Sequence, residues 1–440
     1  MSSTEQPVRV EYVTDPAAAM SSLAAADRFG EYVMYEQPDG WVFAADPLGG
    51  IELDAGELRT TWAGETTARA WSGSPADTLD AALASLADLS GEERGAYGWI
   101  AFEFCAYSLD VTSYLNQRTP LAQLMIPRIE VRIDGGGVRV SGATPAETCD
   151  IHDLIAASQG AVLPTAHPVD VRPDVTDYQG RVAAAVAEIQ AGEYQKVILS
   201  RKVALPFPVD VPATYRLGRA NNTPARSFLL RLGGLEAAGF SPELVASVDD
   251  ARVVTTEPLA GTRAFGLGTQ ADDAARADLL SDPKEIVEHA ISVQTSFAEI
   301  ASVAEIGTPS VSDFMAVRER GSVQHLASTV RGTLAAGRSS WDALDVLFPS
   351  VTASGIPKRE GVDSVFRNDH DPRGLYSGAV VRVSPSGALE ATLVLRAIYQ
   401  TGEGAWLRAG AGIVSQSKPE REFEETCEKL GSVAPYVVRG

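Results

Sequence analysis

Two short stretches set glutamates three residues apart within segments of helical periodicity: Glu285 and Glu288 in "SDPKEIVEHAISV", and Glu422 and Glu425 in "EREFEETCEK". Residues at that spacing share a helix face, so each pair forms a short column of carboxylate oxygens. Two readings are open. In the first, both columns are solvated helix faces, and Glu285 also serves as the reciprocal partner of Asp282 in a capping box. In the second, the columns face each other across a cleft and share a divalent cation. Only oxygen ligands are on offer, with no Cys or His pair nearby, so Mg²⁺ suits the set better than zinc. Mg²⁺ keeps waters and takes one or two carboxylates plus an anionic group, which would let it hold an acidic substrate.

The elements that must carry these columns are legible. In the segment 281–305, Asp282 can cap a helix, Pro283 fits its first position, and Ile286, Ala290 and Val293 recur at helical spacing. A last helix begins after Pro419 with the stripe Phe423, Cys427 and Leu430, and Lys429 continues its carboxylate column. Elsewhere the pattern is of hairpins. "YVMYEQPDGWVFAA" and "IPRIEVRIDGGGVRVSG" break at Gly and Asp turns. The segment 227–258 turns near Gly233-Gly234 and Asp249-Asp250, and 374–414 turns at "SPSG" and "TGEG". Such turns are too short for parallel crossovers, which predicts an α+β fold with large, mostly antiparallel sheets and flanking helices.

With 45% hydrophobic and 22% charged residues, the 440-residue chain has an ordinary globular balance. A proline-rich stretch at 156–173 reads as a surface connection. We expect an N-terminal, strand-rich portion at 1–160 that is not independent, a connecting segment at 161–175 and a catalytic portion at 176–440, all in one interleaved domain. A net charge of −21 argues against nucleic acid or an anionic membrane as partner. The first twenty residues lack a basic start followed by an apolar core, which predicts a cytoplasmic protein. Cys105, Cys149 and Cys427 are odd in number and far apart, so they are expected as reduced thiols.

Eight motifs occur in order: "YQKVILSR" at 194–201, "GFSPELV" at 239–245, "EPLAGTR" at 257–263, "KEIVEHA" at 284–290, "RGSVQHLASTVRG" at 320–332, "FPSVTASGIPK" at 348–358, "RGLYSGAV" at 373–380 and "RAGAGIV" at 408–414, followed by the glutamate helix. Together they resemble the chorismate-utilising enzymes, the family of anthranilate, aminodeoxychorismate, isochorismate and salicylate synthases. Detailed likeness starts near residue 178, and "GWIAFEF" at 98–104 extends it more loosely. Within the family the chain is similar to the mycobactin-type salicylate synthases. That resemblance implies conversion of chorismate to isochorismate, by water addition at C2 and loss of the C4 hydroxyl, and then to salicylate and pyruvate. It also implies Mg²⁺ dependence, a monomer without a glutaminase subunit, and a product feeding siderophore biosynthesis.

Strand alternation puts Tyr194, Lys196 and Ile198 on one face and Val197 and Leu199 on the other. A strand lysine is commonly a solvated one. Buried near cationic neighbours, it can act as the general base that water addition requires. Ammonia-using relatives commonly have Gln here, so Lys196 favours water. Ala260 stands where aminodeoxychorismate synthases carry a nucleophilic lysine, and alanine cannot do covalent catalysis. Thr352 and Tyr376 could hold the enolpyruvyl side chain. Isochorismate synthases that release their first product typically have Ala at the position of Thr352.

By the same resemblance Glu243 is the general acid, and Glu288 and Glu425 are direct Mg²⁺ ligands. Glu285 and Glu422 hold metal-bound waters. Tyr376, Arg396, Lys429 and the amides of Gly410 and Ala411 hold carboxylates. Gly261, Thr262 and His325 line the ring pocket, although His325 alone reads equally as a satisfied core histidine. The nearest rival is an isochorismate synthase that releases isochorismate, then an ammonia-using synthase, which the lack of a tryptophan-sensing N-terminal motif disfavours. A non-catalytic chorismate-binding protein and a metal-dependent hydrolase are more distant alternatives.

Overall fold

A computed structural model gives the structure over residues 13–26, 28–90, 94–320 and 323–440. Residues 1–12, part of the stretch read above for a leader, and Gly321 and Ser322 of the 320–332 motif lie outside the described residues.

Every strand pairing among the described residues is antiparallel, as the short turns require. The anticipated hairpins form, among them Arg226–Leu232 with Leu235–Ser241 and Ala379–Val383 with Leu389–Leu393. The segment 227–258 is not one meander, however. Leu235–Ser241 pairs onward with Ala397–Thr401, while Leu244–Val248 pairs with Leu389–Leu393. Two neighbouring connections, at 242–243 and 394–396, therefore pass together from one part of the ladder to another, and they carry Glu243 and Arg396.

Side-chain alternation shows how the ladder is layered. Tyr32, Met34, Phe43, Leu229 and Ala238 pack beneath helices in one cluster, whereas their neighbours Val33, Tyr35, Val42, Phe228 and Ala237 point into an inner cluster. Tyr97, Trp99 and Val380 come to that inner cluster from the other side, while Ala96, Ile100, Ala379 and Val381 face a third, helix-covered cluster. The period-two pattern thus sorts one ladder into two sheets face to face, each with helices outside. Strands of the N-terminal portion take part throughout: Tyr32–Gln37 pairs with Arg226–Leu232, and Ala96–Ile100 pairs with Ala379–Val383. The connection at 156–173 starts later than its composition suggests, because the helix Pro145–Ser158 absorbs its first residues.

Both glutamate helices start where their first residues direct. Asp282 accepts from the amides of Lys284 and Glu285 at the start of Pro283–Val303, and Pro419 opens Pro419–Leu430. The buried face of the first helix is more polar than its spacing suggests. His289, Ser292, Val293 and Ser296 are fully buried, whereas Ile286 and Ala290 are only half-buried.

Candidate active site

A cavity of about 860 Å³ opens beside the inner cluster, with Tyr376 and Ala397 belonging to both. Its wall brings together Lys196, Glu243, Gly261, Thr262, Glu285, Glu288, His325, Thr352, Tyr376, Arg396, Gly410, Glu422, Glu425 and Lys429; Ala411, also assigned a role above, is instead buried in the helix-covered core, where its amide donates to the Tyr178 hydroxyl at 3.2 Å. Ala260 lines the cavity too.

Lys196 opens the strand Lys196–Ala204 and is 6% exposed. Lys196 and Ile198 face the cavity, and Val197 and Leu199 enter the helix-covered core, as alternation requires. Tyr194 departs from the expected face: it precedes the strand and packs in the same core as Val197. Lys196 has an anion as its partner, not one of the cationic neighbours anticipated above. Its Nζ forms an ion pair with Oε1 of Glu288.

The paired strand Gly404–Ile413 supplies the room for this pair. A Cβ on Gly412 would sit 3.2 Å from Cε of Lys196, and one on Gly410 would sit 2.9 Å from the Tyr376 hydroxyl. Both glycines of "AGAG" are thus places where a ligand-facing side chain crosses close to backbone.

Glu243 is 3% exposed, although it stands in a connection between strands directly after Pro242. Its Oε1 accepts from the hydroxyls of Ser350 and Thr352, both at 2.6 Å. Burial pushes its carboxyl up to about 7, against the opposing pull of those hydroxyls and of the Lys196 charge. A glutamate so tuned carries a proton near neutrality and can give it up. Thr352, expected against a substrate side chain, instead has its hydroxyl on Glu243.

His325 is a wall residue as well as a satisfied one. Arg396 Nη2 lies 3.0 Å from its Nε2, and its Nδ1 lies 2.9 Å from the Gly261 carbonyl and 3.1 Å from Thr262 Oγ1. A guanidinium only donates, so Nε2 accepts and Nδ1–H donates to Gly261, giving a neutral ring. Arg396 itself has φ +50°, which aims it from the strand crossing at this ring.

The carboxylate columns are not solvated faces. Glu422 is 5% exposed, and Glu285 and Glu288 have side chains 16% and 22% exposed. Burial pushes Glu285 up, with the Glu288 charge adding to it; burial likewise pushes Glu422 up, with Glu425 adding and Ser417 opposing. Glu285 does not close a capping box on Asp282, because its carboxylate reaches Arg263 at 3.4 Å. Lys429 bridges Glu425 at 2.8 Å and the Gly410 carbonyl at 2.9 Å. Lys284 acts on Glu285 and across the cleft on Glu422 and Glu425.

Among the described residues no three acidic, His or Cys groups converge tightly enough to grip an ion. The donor set nonetheless fits a hard cation: four carboxylates lining one cleft, crowded in like-charged pairs, with the Lys284 charge acting on both pairs.

Several residues of the site carried no assignment in the sequence. Ser350, Lys284, Arg373 and Arg408 all lie inside quoted motifs, yet burial and contacts across the sheets, not spacing, give them their place.

Comparison with known proteins bears on the chain as a whole. The family model for chorismate binding enzymes matches residues 30–435. The chain is 52% identical over 427 residues to a salicylate synthase of Mycolicibacterium paratuberculosis, covering 96% of this chain and 94% of that protein. Its fold is similar to the crystal structure of anthranilate synthase component I from Streptococcus pneumoniae, with a TM-score of 0.75 at 22% identity, covering 98% of this chain and 100% of the other. It is likewise similar to the menaquinone-specific isochorismate synthase of Escherichia coli, with a TM-score of 0.74 at 20% identity, covering 98% and 94%. From the order of its motifs, the cleft they line and a match that spans nearly the whole chain, the protein belongs to the chorismate binding enzyme family.

Proposed function

We propose that the protein is a Mg²⁺-dependent salicylate synthase, which converts chorismate to isochorismate and isochorismate to salicylate and pyruvate. The observation that carries this reading is the near-full-length likeness to a salicylate synthase. The cleft supports it with a buried lysine and a buried, protonatable glutamate on one cavity.

In the first step Lys196, once free of its proton, takes one from water as that water attacks C2 of the ring. Glu243 protonates the departing C4 hydroxyl, which leaves as water, so that atoms balance. A carboxyl poised near 7 suits that donation at neutral pH. In the second step the hydrogen on C2 moves to the side-chain methylene as the ether bond breaks, releasing pyruvate and leaving an aromatic ring. This step needs a held conformer more than a base. Arg396, Lys429, Tyr376 and the amide of Gly410 would hold the carboxylates, and Gly261, Thr262 and His325 the ring.

Glu288 and Glu425 would ligate Mg²⁺, with Glu285 and Glu422 holding its waters. The ion would supply positive charge that lets an acidic cleft accept an anionic substrate.

A second reading, an isochorismate synthase that releases its first product, has one observation in its favour: Thr352 is engaged by Glu243 and not free to hold a side chain.

The deciding experiment gives purified protein chorismate and Mg²⁺ without ammonium, and follows salicylate fluorescence and pyruvate together with an EDTA control. Equal salicylate and pyruvate, both abolished by EDTA, is the expected result. Isochorismate without pyruvate would establish the second reading, and a requirement for ammonium would overturn both. We further propose that the protein works as a cytoplasmic monomer without a glutaminase subunit and that its salicylate feeds a siderophore. No helix among the described residues is long and apolar enough to cross a membrane.

A further inference from the structure

Beneath the cavity one carboxylate, Asp369, is buried among three guanidinium groups. It accepts from Arg181 Nη1 at 3.1 Å, Arg373 Nε at 2.9 Å and Arg408 Nη2 at 3.1 Å, and from the amide and hydroxyl of Ser200 at 3.1 and 2.7 Å. The three arginines are each less than a tenth exposed. The other carboxylate in contact with this group, Glu103, takes the backbone amides of Arg373 and Gly374. Three positive charges thus stand against Asp369 and at most Glu103, and the cluster keeps a positive excess. Buried charge without a counterpart is costly, which points to an anion that completes it from the cavity side.

Arg373 and Arg408 are both committed to partners on the side away from the cavity. Every nitrogen of both guanidiniums already donates inward. Arg373 serves Asp369 and the carbonyls of Ala353 and Ile198, and Arg408 serves Asp369, Ser200 and the carbonyls of Pro372 and Asp371. The ring of Tyr376 lies against both guanidiniums on the cavity side, where Arg408 also contributes to the wall. Their guanidinium carbons sit 5.7 and 5.5 Å from its centroid. Tyr376 is 2% exposed and lines the cavity, with its hydroxyl against the bare Cα of Gly410.

We propose that Asp369 is a positioning residue for anion recognition: it locks Arg373 and Arg408 against the Tyr376 ring, and their buried charge strengthens the Tyr376 hydroxyl as donor to a carboxylate of the substrate. This rests on the chorismate reading. A phenol over two cations gives up electron density from its ring and makes a stronger charge-assisted hydrogen bond.

The test is a double-mutant cycle on chorismate affinity, measured by calorimetry without turnover at pH 7 on the full chain with Arg408→Gln, Tyr376→Phe and both. Each single change is expected to weaken binding about ten-fold, and Arg408→Gln to cost less than about two-fold once Tyr376 is Phe. Arg408→Lys, which keeps the charge, should retain most of the affinity. Equal losses from Arg408→Gln in both backgrounds would overturn the proposal, since the arginine would then act independently of the tyrosine. Should Arg408→Gln fail to fold, Tyr376→Phe alone decides, because it removes only the donor: unchanged affinity there sinks the idea. Absence of chorismate binding by the unaltered protein would instead bring down the functional reading beneath it.

Discussion

The hydroxyl of Thr352 donates to Oε1 of Glu243 at 2.6 Å, and Ser350 reaches the same oxygen at the same distance. These donors favour the ionised carboxylate, so they hold Glu243 below where burial alone would put it. Removing one should raise it. We expect Thr352→Ala to move the alkaline limb of the pH–rate profile upward by roughly half a unit to one unit, while Thr352→Ser leaves it in place. A limb that stays put while pyruvate yield falls would assign Thr352 to the second step.

Glu243 has a cost to stability whose sign follows from its shift. Its carboxyl is raised to about 7 in the fold from an unfolded value of 4.5. Below the unfolded value both states are protonated and the group contributes nothing. As pH rises through that interval the unfolded chain ionises first, and stability falls, by up to about 3 kcal/mol. Glu243→Gln should therefore raise the melting temperature at pH 8, leave it nearly unchanged at pH 4, and abolish chorismate turnover. Thermal denaturation at the two pH values checks this; a lowered melting temperature at pH 8 contradicts it.

Lys196 serves the first step alone in the proposed mechanism. Lys196→Ala should reduce chorismate consumption by at least about a thousand-fold, within the range general-base removal commonly gives. Pyruvate release from supplied isochorismate should persist. Equal loss with both substrates would show that Lys196 also holds the second-step conformer.

Glu288 and Glu425 are the proposed ligands. Their conversion to Gln removes a charge while keeping shape, so Mg²⁺ binding measured by calorimetry should weaken more than about ten-fold in each. Val287→Ala, a change at an exposed position on the helix of Glu288, should leave it unaltered. Unchanged Mg²⁺ binding in both glutamine variants would return the columns to a role in electrostatics alone.

Much of this molecule is written locally. The cap at Asp282, Pro419 at the first position of the last helix, the alternation from Lys196 to Leu199 and the Gly-rich turns depend on neighbours a few residues away, and these formed as their chemistry requires. Motif order likewise named the family. Tertiary structure decided the states of the reacting groups. Lys196 meets Glu288 across 92 residues of chain, and Glu243 meets Ser350 across 107. Whether a glutamate is solvated, ion-paired or raised to about 7 depends on the dielectric and charges around it in space. Those are supplied by segments that periodicity cannot bring together, and so the burial of Glu422 and the cluster around Asp369 exist only once the sheets have closed over them.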